Sequence, residues 1–173
     1  MCEIGTAART EMALPPTITT DRRLTVRGWR VDDAPAALPL YGNTDVTRWL
    51  GPAVAQVPDL DAMGGILSAW IDEDGRGDGP AGRWAIERRD DGRVVGGVVL
   101  LPPPRGDDVE IGWQLAPAMW GNGYAAESTP AIAGWAFDQG LEEFDAWCGL
   151  ATPATWSRAL LFQGVQDPSR QSR

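Results

Sequence analysis

The chain has 173 residues; its 15 basic side chains are all Arg, and 24 Asp plus Glu give a formal net charge of -9 with no Lys and no His. Without His there is no Ser–His or Cys–His nucleophile pair, no imidazole base and no His-ligated zinc. Without Lys there is no Schiff base and no complete phosphate-binding P-loop.

What remains is chemistry by carboxylates, hydroxyls, Arg and the backbone. An apolar share of 43% with 23% charged residues describes one soluble globular domain with a real core. Cys2 and Cys148 lie far apart, which argues against a disulfide framework or a Cys-rich metal site and fits a cytoplasmic protein. No apolar run reaches the ~18 residues of a membrane span, and the N-terminus lacks a signal-peptide pattern. Net negative charge argues against nucleic acid as a partner and suits a cationic small molecule or a protein terminus.

Residues 1–20 show no periodicity and are expected to form a flexible tail, with a single domain over 21–165 and a polar tail over 166–173. Leu24, Val26 and Gly28 alternate with Thr25, Arg27 and Trp29 as a strand. Asp32 or Asp33 can cap a short helix with Pro35 in its first turn, and Asn43 or Asp45 can open another that runs through Trp49 and Leu50. Leu60, Met63, Leu67 and Trp70 recur at helical spacing after Asp59. The stretch from Asp72 to Gly82 half resembles a calcium loop, but Arg76 and Arg83 stand where acidic ligands belong, so it reads as a solvated loop. Arg83 to Arg88 reads as a strand, and Val94 to Leu101 as a strand buried on both faces, stopped by Pro102. Val109, Ile111, Trp113 and Leu115 then alternate with polar or small residues. A helix from about Gly123 to Gln139, a strand from Glu143 to Cys148 and a last helix from about Pro153 to Gln163 complete an α+β (α/β) order.

The junction between the alternating strand and its following helix is EIGWQLAPAMWGNGYAAES, residues 110–128. Gly121 and Gly123 remove side chains where a helix N-terminus begins, so backbone N–H groups can converge on an anion such as a pyrophosphate. The same glycines also suit a plain tight turn.

This segment, through Trp120-Gly121-Asn122-Gly123-Tyr124-Ala125-Ala126-Glu127, resembles the acetyl-CoA-binding motif of the GNAT superfamily of N-acetyltransferases, in the form found in the ribosomal-protein alanine acetyltransferase branch. LTVRGWRVDDAPAALPLYGNTDVTRWLG likewise resembles the family's first strand and paired helices, so the likeness covers about residues 22–165. The resemblance implies a mixed, mostly antiparallel sheet flanked by helices, with acetyl-CoA as co-substrate and no metal. It implies that backbone amides from Gly121 to Ala126, flanked by Trp120, bind the CoA pyrophosphate, and that the main chain of Trp113 and Leu115 holds the pantetheine arm. A strand N–H near Leu115 then polarises the thioester oxygen while an amine, small molecule or protein N-terminus, attacks directly. Glu110 is the first candidate for the base that takes the amine proton and Glu127 the second; either can instead be a solvated strand position or a first-turn helix acid.

Departures from the family pattern add further expectations. Pro130 predicts a kink, or a helix that begins near Thr129-Pro130. The Asn that usually opens the last helix is missing from PATWSRALLFQG, residues 153–164, and so is the Tyr that in many members protonates the CoA thiolate, for which Ser157 or Cys148 is the candidate substitute. No sequence follows for the usual closing strands, so an open sheet edge is expected, covered by a partner such as a second copy in a homodimer, by a swapped segment or not at all, with Trp147 and Trp156 near the contact or the acceptor pocket. Two other classes fit parts of the pattern. A non-catalytic GNAT-like module would keep the Gly121–Ala126 turn alone, and a dinucleotide-dependent oxidoreductase would use the formal G-x-G-x-x-A match.

Overall fold

The computed structural model describes residues 16–43, 57–76, 80–102 and 109–147, with the backbone alone for 145–147. The last helix, Ser157, Cys148, Trp156 and the helix through Trp49 and Leu50 lie outside the described residues. β1 (Ile18–Thr19) and β2 (Leu24–Gly28) open the fold. A single 3-10 turn, Val31–Asp33, leads into α1 (Ala34–Tyr41). After α2 (Leu60–Asp74) come β3 (Gly82–Arg88), β4 (Val94–Leu101) and β5 (Glu110–Leu115). A second 3-10 turn, Pro117–Met119, precedes α3 (Tyr124–Asp138) and β6 (Asp145–Trp147).

The strands form one sheet in the order β1-β2-β3-β4-β5-β6, antiparallel throughout except for the parallel β5–β6 pair. Alternation along each strand sends one set of side chains to each face. Leu24, Val26, Trp84, Ile86, Val98, Leu100 and Ile111 pack with Tyr124, Ile132 and Ala136 of α3. Trp29 and Ala85 pack on the opposite face with Ala37, Leu40 and Tyr41 of α1 and Met63 and Leu67 of α2. The expected mixed sheet flanked by helices is therefore present.

One local expectation is corrected, and one pair of alternatives is resolved. The predicted tail over residues 1–20 is already strand at Ile18–Thr19, which pairs with Val26 and Thr25. A two-residue strand carries no readable period; Thr20 fixes it by accepting the Leu24 N–H on Oγ1 at 3.1 Å. The helix after the CoA turn keeps its expected span of about Gly123 to Gln139, running from Tyr124 to Asp138 through Pro130; the alternative start at Thr129-Pro130 is not the one taken. Pro130 is exposed, and one turn earlier the Ser128 and Thr129 hydroxyls both donate to the Ala125 carbonyl, at 3.1 and 2.7 Å.

Capping follows sequence at α2, where the Asp59 carboxylate accepts the Ala62 N–H at 2.8 Å. At α1 it does not: the Asp33 carboxylate takes the Arg27 guanidinium in two bonds, at 2.8 and 2.9 Å, and the Arg30 N–H at 2.8 Å. Glu87 adds a third carboxylate bond to Arg27 at 2.7 Å. Arg27, with only 6% of its side chain exposed, thus ties β2, β3 and the entry to α1 together.

β4 and β5 approach closely at Gly96. A Cβ there would stand 2.4 Å from the Gln114 carbonyl oxygen and 2.4 Å from Leu115 Cδ2. Gly96→Val is expected to force β5 away from β4 and to cost at least about 2–3 kcal/mol, by overpacking and a disturbed ladder. Urea unfolding of the variant measures it; a midpoint equal to wild type would mean the strands tolerate the separation.

Candidate active site

The site grows from the C-terminal end of β5 and the turn into α3. Gly121 has φ +75° and Gly123 φ +77°, a left-handed backbone that glycine adopts without strain. A Cβ on Gly121 would meet nothing within 4 Å, and one on Gly123 only Arg23 Nη2 at 3.9 Å, so both glycines border open space. Glu127 N–H, bonded to the Gly123 carbonyl at 2.9 Å, makes the first helical bond. The amides of Tyr124, Ala125 and Ala126 precede it and so have no acceptor within α3. They form, with the helix dipole, a cradle of positive partial charge.

Carbonyls around this turn are anchored. Asn122 Nδ2 donates to the Met119 and Trp120 carbonyls, both at 3.1 Å. Arg23 Nη2 donates to the Asn122 carbonyl. In a planar trans peptide the C=O and the following N–H point in opposite directions. Anchoring the carbonyls of Trp120, Asn122 and Gly123 therefore directs the N–H groups of Gly121, Gly123 and Tyr124 away from those anchors.

The same reasoning fixes β5. The Gln114 carbonyl lies against Gly96 on β4, so the Leu115 N–H points away from β4, toward the β6 side. The Leu115 carbonyl lies on that side too and accepts the Trp120 indole N–H at 2.9 Å. The described pairing of β5 with β6 runs from Glu110↔Asp145 to Gly112↔Trp147, the last described residue. Trp113 packs its indole against the α3-side core, with Nε1 buried and unbonded, and, two residues before Leu115 on the same strand, turns its N–H and C=O to the same side as those of Leu115.

Glu110 is half-buried at the far end of β5, paired with Leu101 and Asp145. It shares a face with Gln114, whose Oε1 accepts the buried Tyr41 hydroxyl at 3.3 Å. Burial pushes the Tyr41 phenol well above its ordinary value, so it stays protonated and holds Gln114. From Glu110 to Leu115 the strand rises about 16 Å at roughly 3.3 Å per residue, so the two positions lie at opposite ends of β5.

Glu127 is differently placed. Its Oε1 accepts the Thr20 hydroxyl and the Arg23 N–H, each at 2.8 Å, and its Oε2 accepts Arg23 Nε at 2.9 Å. Desolvation alone would raise its pKa, but the Arg23 N–H, the guanidinium and the Thr20 hydroxyl together hold it below the ordinary glutamate value. Such a carboxylate contributes stability that is present above the unfolded pKa and lost as pH falls through the folded one. Urea denaturation of wild type and Glu127→Gln is therefore expected to show a gap at pH 7 that closes toward about pH 3. A gap that is constant across this range would contradict the ion pair.

Sequence reasoning thus missed Thr20, Arg23, Tyr41 and the role of Gln114. Arg23 and Thr20 reach Glu127 across more than a hundred residues, a partnership that no local period encodes. Gln114 fits the alternation of its strand as an ordinary polar position, so its bond to Tyr41 carried no sequence signal either. Among the described residues no cluster of three Cys, Asp or Glu could hold a metal ion, and no helix is long and apolar enough to cross a membrane.

The comparisons with known proteins bear on the family and the fold. The acetyltransferase (GNAT) domain model matches residues 23–158. A Bacillus subtilis (strain 168) protein named uncharacterized N-acetyltransferase YoaA is 29% identical over 160 residues, spanning 87% of this chain and 83% of its own. The crystal structure of a GNAT-family acetyltransferase from Bacillus anthracis aligns with a TM-score of 0.61 at 19% identity, over 77% of this chain and 74% of its own. RimL, a ribosomal L7/L12 α-N-protein acetyltransferase solved with coenzyme A, aligns with a TM-score of 0.55 at 19% identity, over 69% and 67%. At these identities the two structures speak to the fold, and the domain match speaks to descent. A strand–turn–helix cradle in a mixed sheet, matched over most of its length by one domain model, places this chain in the GNAT acetyltransferase family.

Proposed function

We propose that the protein transfers the acetyl group of acetyl-CoA directly to a primary amine, with the amides of Gly121 to Ala126 taking the diphosphate and the main chain of Trp113 and Leu115 guiding the pantetheine arm. The observation that carries this reading is the Gln114 carbonyl packed on Gly96, which turns the Leu115 N–H outward at the end of β5, beside the cradle. A donor whose diphosphate lies at the helix N-terminus brings its thioester back along that strand edge. Attack by the amine nitrogen on the thioester carbon places negative charge on the former carbonyl oxygen, where the Leu115 N–H stabilises it. Collapse breaks the C–S bond, forms the amide and releases the thiolate, which takes a proton from solvent or from a donor such as Ser157. Trp120 and Asn122 serve by shaping the turn, through the Leu115, Met119 and Trp120 carbonyls.

Glu110 acts as the base through intervening water. Glu127, with its oxygens bonded and its pKa lowered, is a poor proton acceptor and serves the fold. The acceptor is a protein N-terminus or a small amine. An α-amino group with pKa near about 8 asks less of a water-linked base than a lysine near about 10.4. Glu110→Gln is expected to lower kcat/KM roughly 10- to 100-fold at neutral pH, with the deficit shrinking at higher pH as free amine accumulates. Thiol-release assays across pH test this; a deficit that does not change with pH would remove Glu110 as the base.

A further inference from the structure

Arg23 stands at the point where the cradle meets the sheet. Its side chain is 49% exposed, yet three of its groups are engaged: the N–H and Nε with Glu127, and Nη2 with the Asn122 carbonyl. Its guanidinium also lies over the Tyr124 ring, 4.7 Å from the centroid. Tyr124 is the first residue of α3, and Glu127 lies in its first turn. One cation from the start of β2 thus touches both ends of the first turn of α3 and the peptide plane just before it.

We propose that Arg23 is a positioning residue for the diphosphate cradle, holding the Asn122–Gly123 peptide so that the Gly123 N–H faces the anion and neutralising Glu127 beside it. This rests on the acetyl-CoA reading above. Two physical effects coincide. The Asn122 carbonyl, left unanchored, could rotate its peptide and carry the Gly123 N–H out of the cradle, since the left-handed glycine at 123 allows that freedom. Glu127, with only 7% of its side chain exposed and no other cation bonded to it among the described residues, would place an uncompensated negative charge within one helical turn of a doubly charged diphosphate. Lys cannot do both tasks, because a single ammonium lacks the fork that spans Glu127 and the Asn122 carbonyl.

A pair of acetyl donors tests the role. Acetyl-CoA carries the diphosphate; S-acetyl-pantetheine carries the same thioester without it. For Arg23→Gln, calorimetric affinity for CoA and kcat/KM with acetyl-CoA are expected to fall roughly 10- to 100-fold, the worth of one or two charge-assisted hydrogen bonds. With S-acetyl-pantetheine the loss is expected to stay under about threefold, and Arg23→Lys to recover only part of the CoA affinity. Equal losses with both donors would reduce Arg23 to a purely structural tie and overturn the proposal, as would unchanged CoA affinity. Should Arg23→Gln fail to fold by circular dichroism, the same two-donor comparison on Arg23→Lys decides. A wild-type protein that binds no CoA removes the acetyl-CoA reading itself and this role with it, whereas wild-type binding with unaffected variants removes only the role of Arg23.

Discussion

Gly123→Val is expected to abolish measurable acetyl-CoA binding, raising the dissociation constant at least about 100-fold. Two effects act together. Gly123 sits at φ +77°, where a β-branched residue pays roughly 1–2 kcal/mol or more of backbone strain. Its Cβ would also enter the space that borders the amides of Tyr124 to Ala126, with only Arg23 Nη2 nearby at 3.9 Å. The strain tends to flip the Asn122–Gly123 peptide and the side chain blocks what remains of the approach. Calorimetric titration with CoA, beside a urea curve for the same variant, separates lost binding from lost stability. Unchanged affinity in a folded variant would remove the turn from the donor site.

The second large effect falls on stability. Arg27→Met is expected to destabilise the fold by about 3–5 kcal/mol, because it leaves Asp33 and Glu87 without the cation that compensates them. The Asp33 carboxylate, at 11% side-chain exposure, keeps only the Arg30 N–H among the bonds described above. Hydrogen bonds donated by its guanidinium to Asp33, then to Glu87, hold the Arg27 pKa above its ordinary value against desolvation, so the group is charged at any working pH. Loss of this knot is expected to loosen α1 first, and with it the Tyr41–Gln114 contact behind β5. Replacing all three residues by apolar ones of similar size should restore much of the loss, because the cost lies in stranded charge. Denaturant melts of the single and triple variants check both statements, and a single variant within about 1 kcal/mol of wild type would contradict them.

Much of this architecture was legible because the signals were local. The alternation of Val109 to Leu115, the near-continuous apolar run from Val94 and the Asp59 cap each report on the segment that carries them, and each element stands within a residue or so of its expected span. The turn at Gly121–Gly123 was legible for the same reason: two glycines in left-handed backbone mark themselves in the sequence. What sequence did not disclose is long-range and polar. Asp33 looked like a helix cap and is instead the partner of a buried arginine. Glu127 looked like a candidate base and is bonded by Thr20 and Arg23 from the other end of the domain. Pro130 left a kink or a later helix start open, and α3 carries it on an exposed face. In each case an ionic or hydroxyl group could satisfy several partners equally well, and only tertiary packing chose among them.

On the proposed reading, the cradle, the outward Leu115 N–H and the distant carboxylate serve one reaction: a thioester donor and an amine, with no covalent enzyme intermediate. The most direct measurement follows free thiol from acetyl-CoA as primary amines are added, across peptides with free N-termini, polyamines and aminoglycosides. Thiol appearing only when an amine is present, and in proportion to N-acetylated product, is the expected result. Stabilisation by acetyl-CoA with no thiol release for any of these acceptors, or stabilisation by NAD and not by acetyl-CoA, would contradict it.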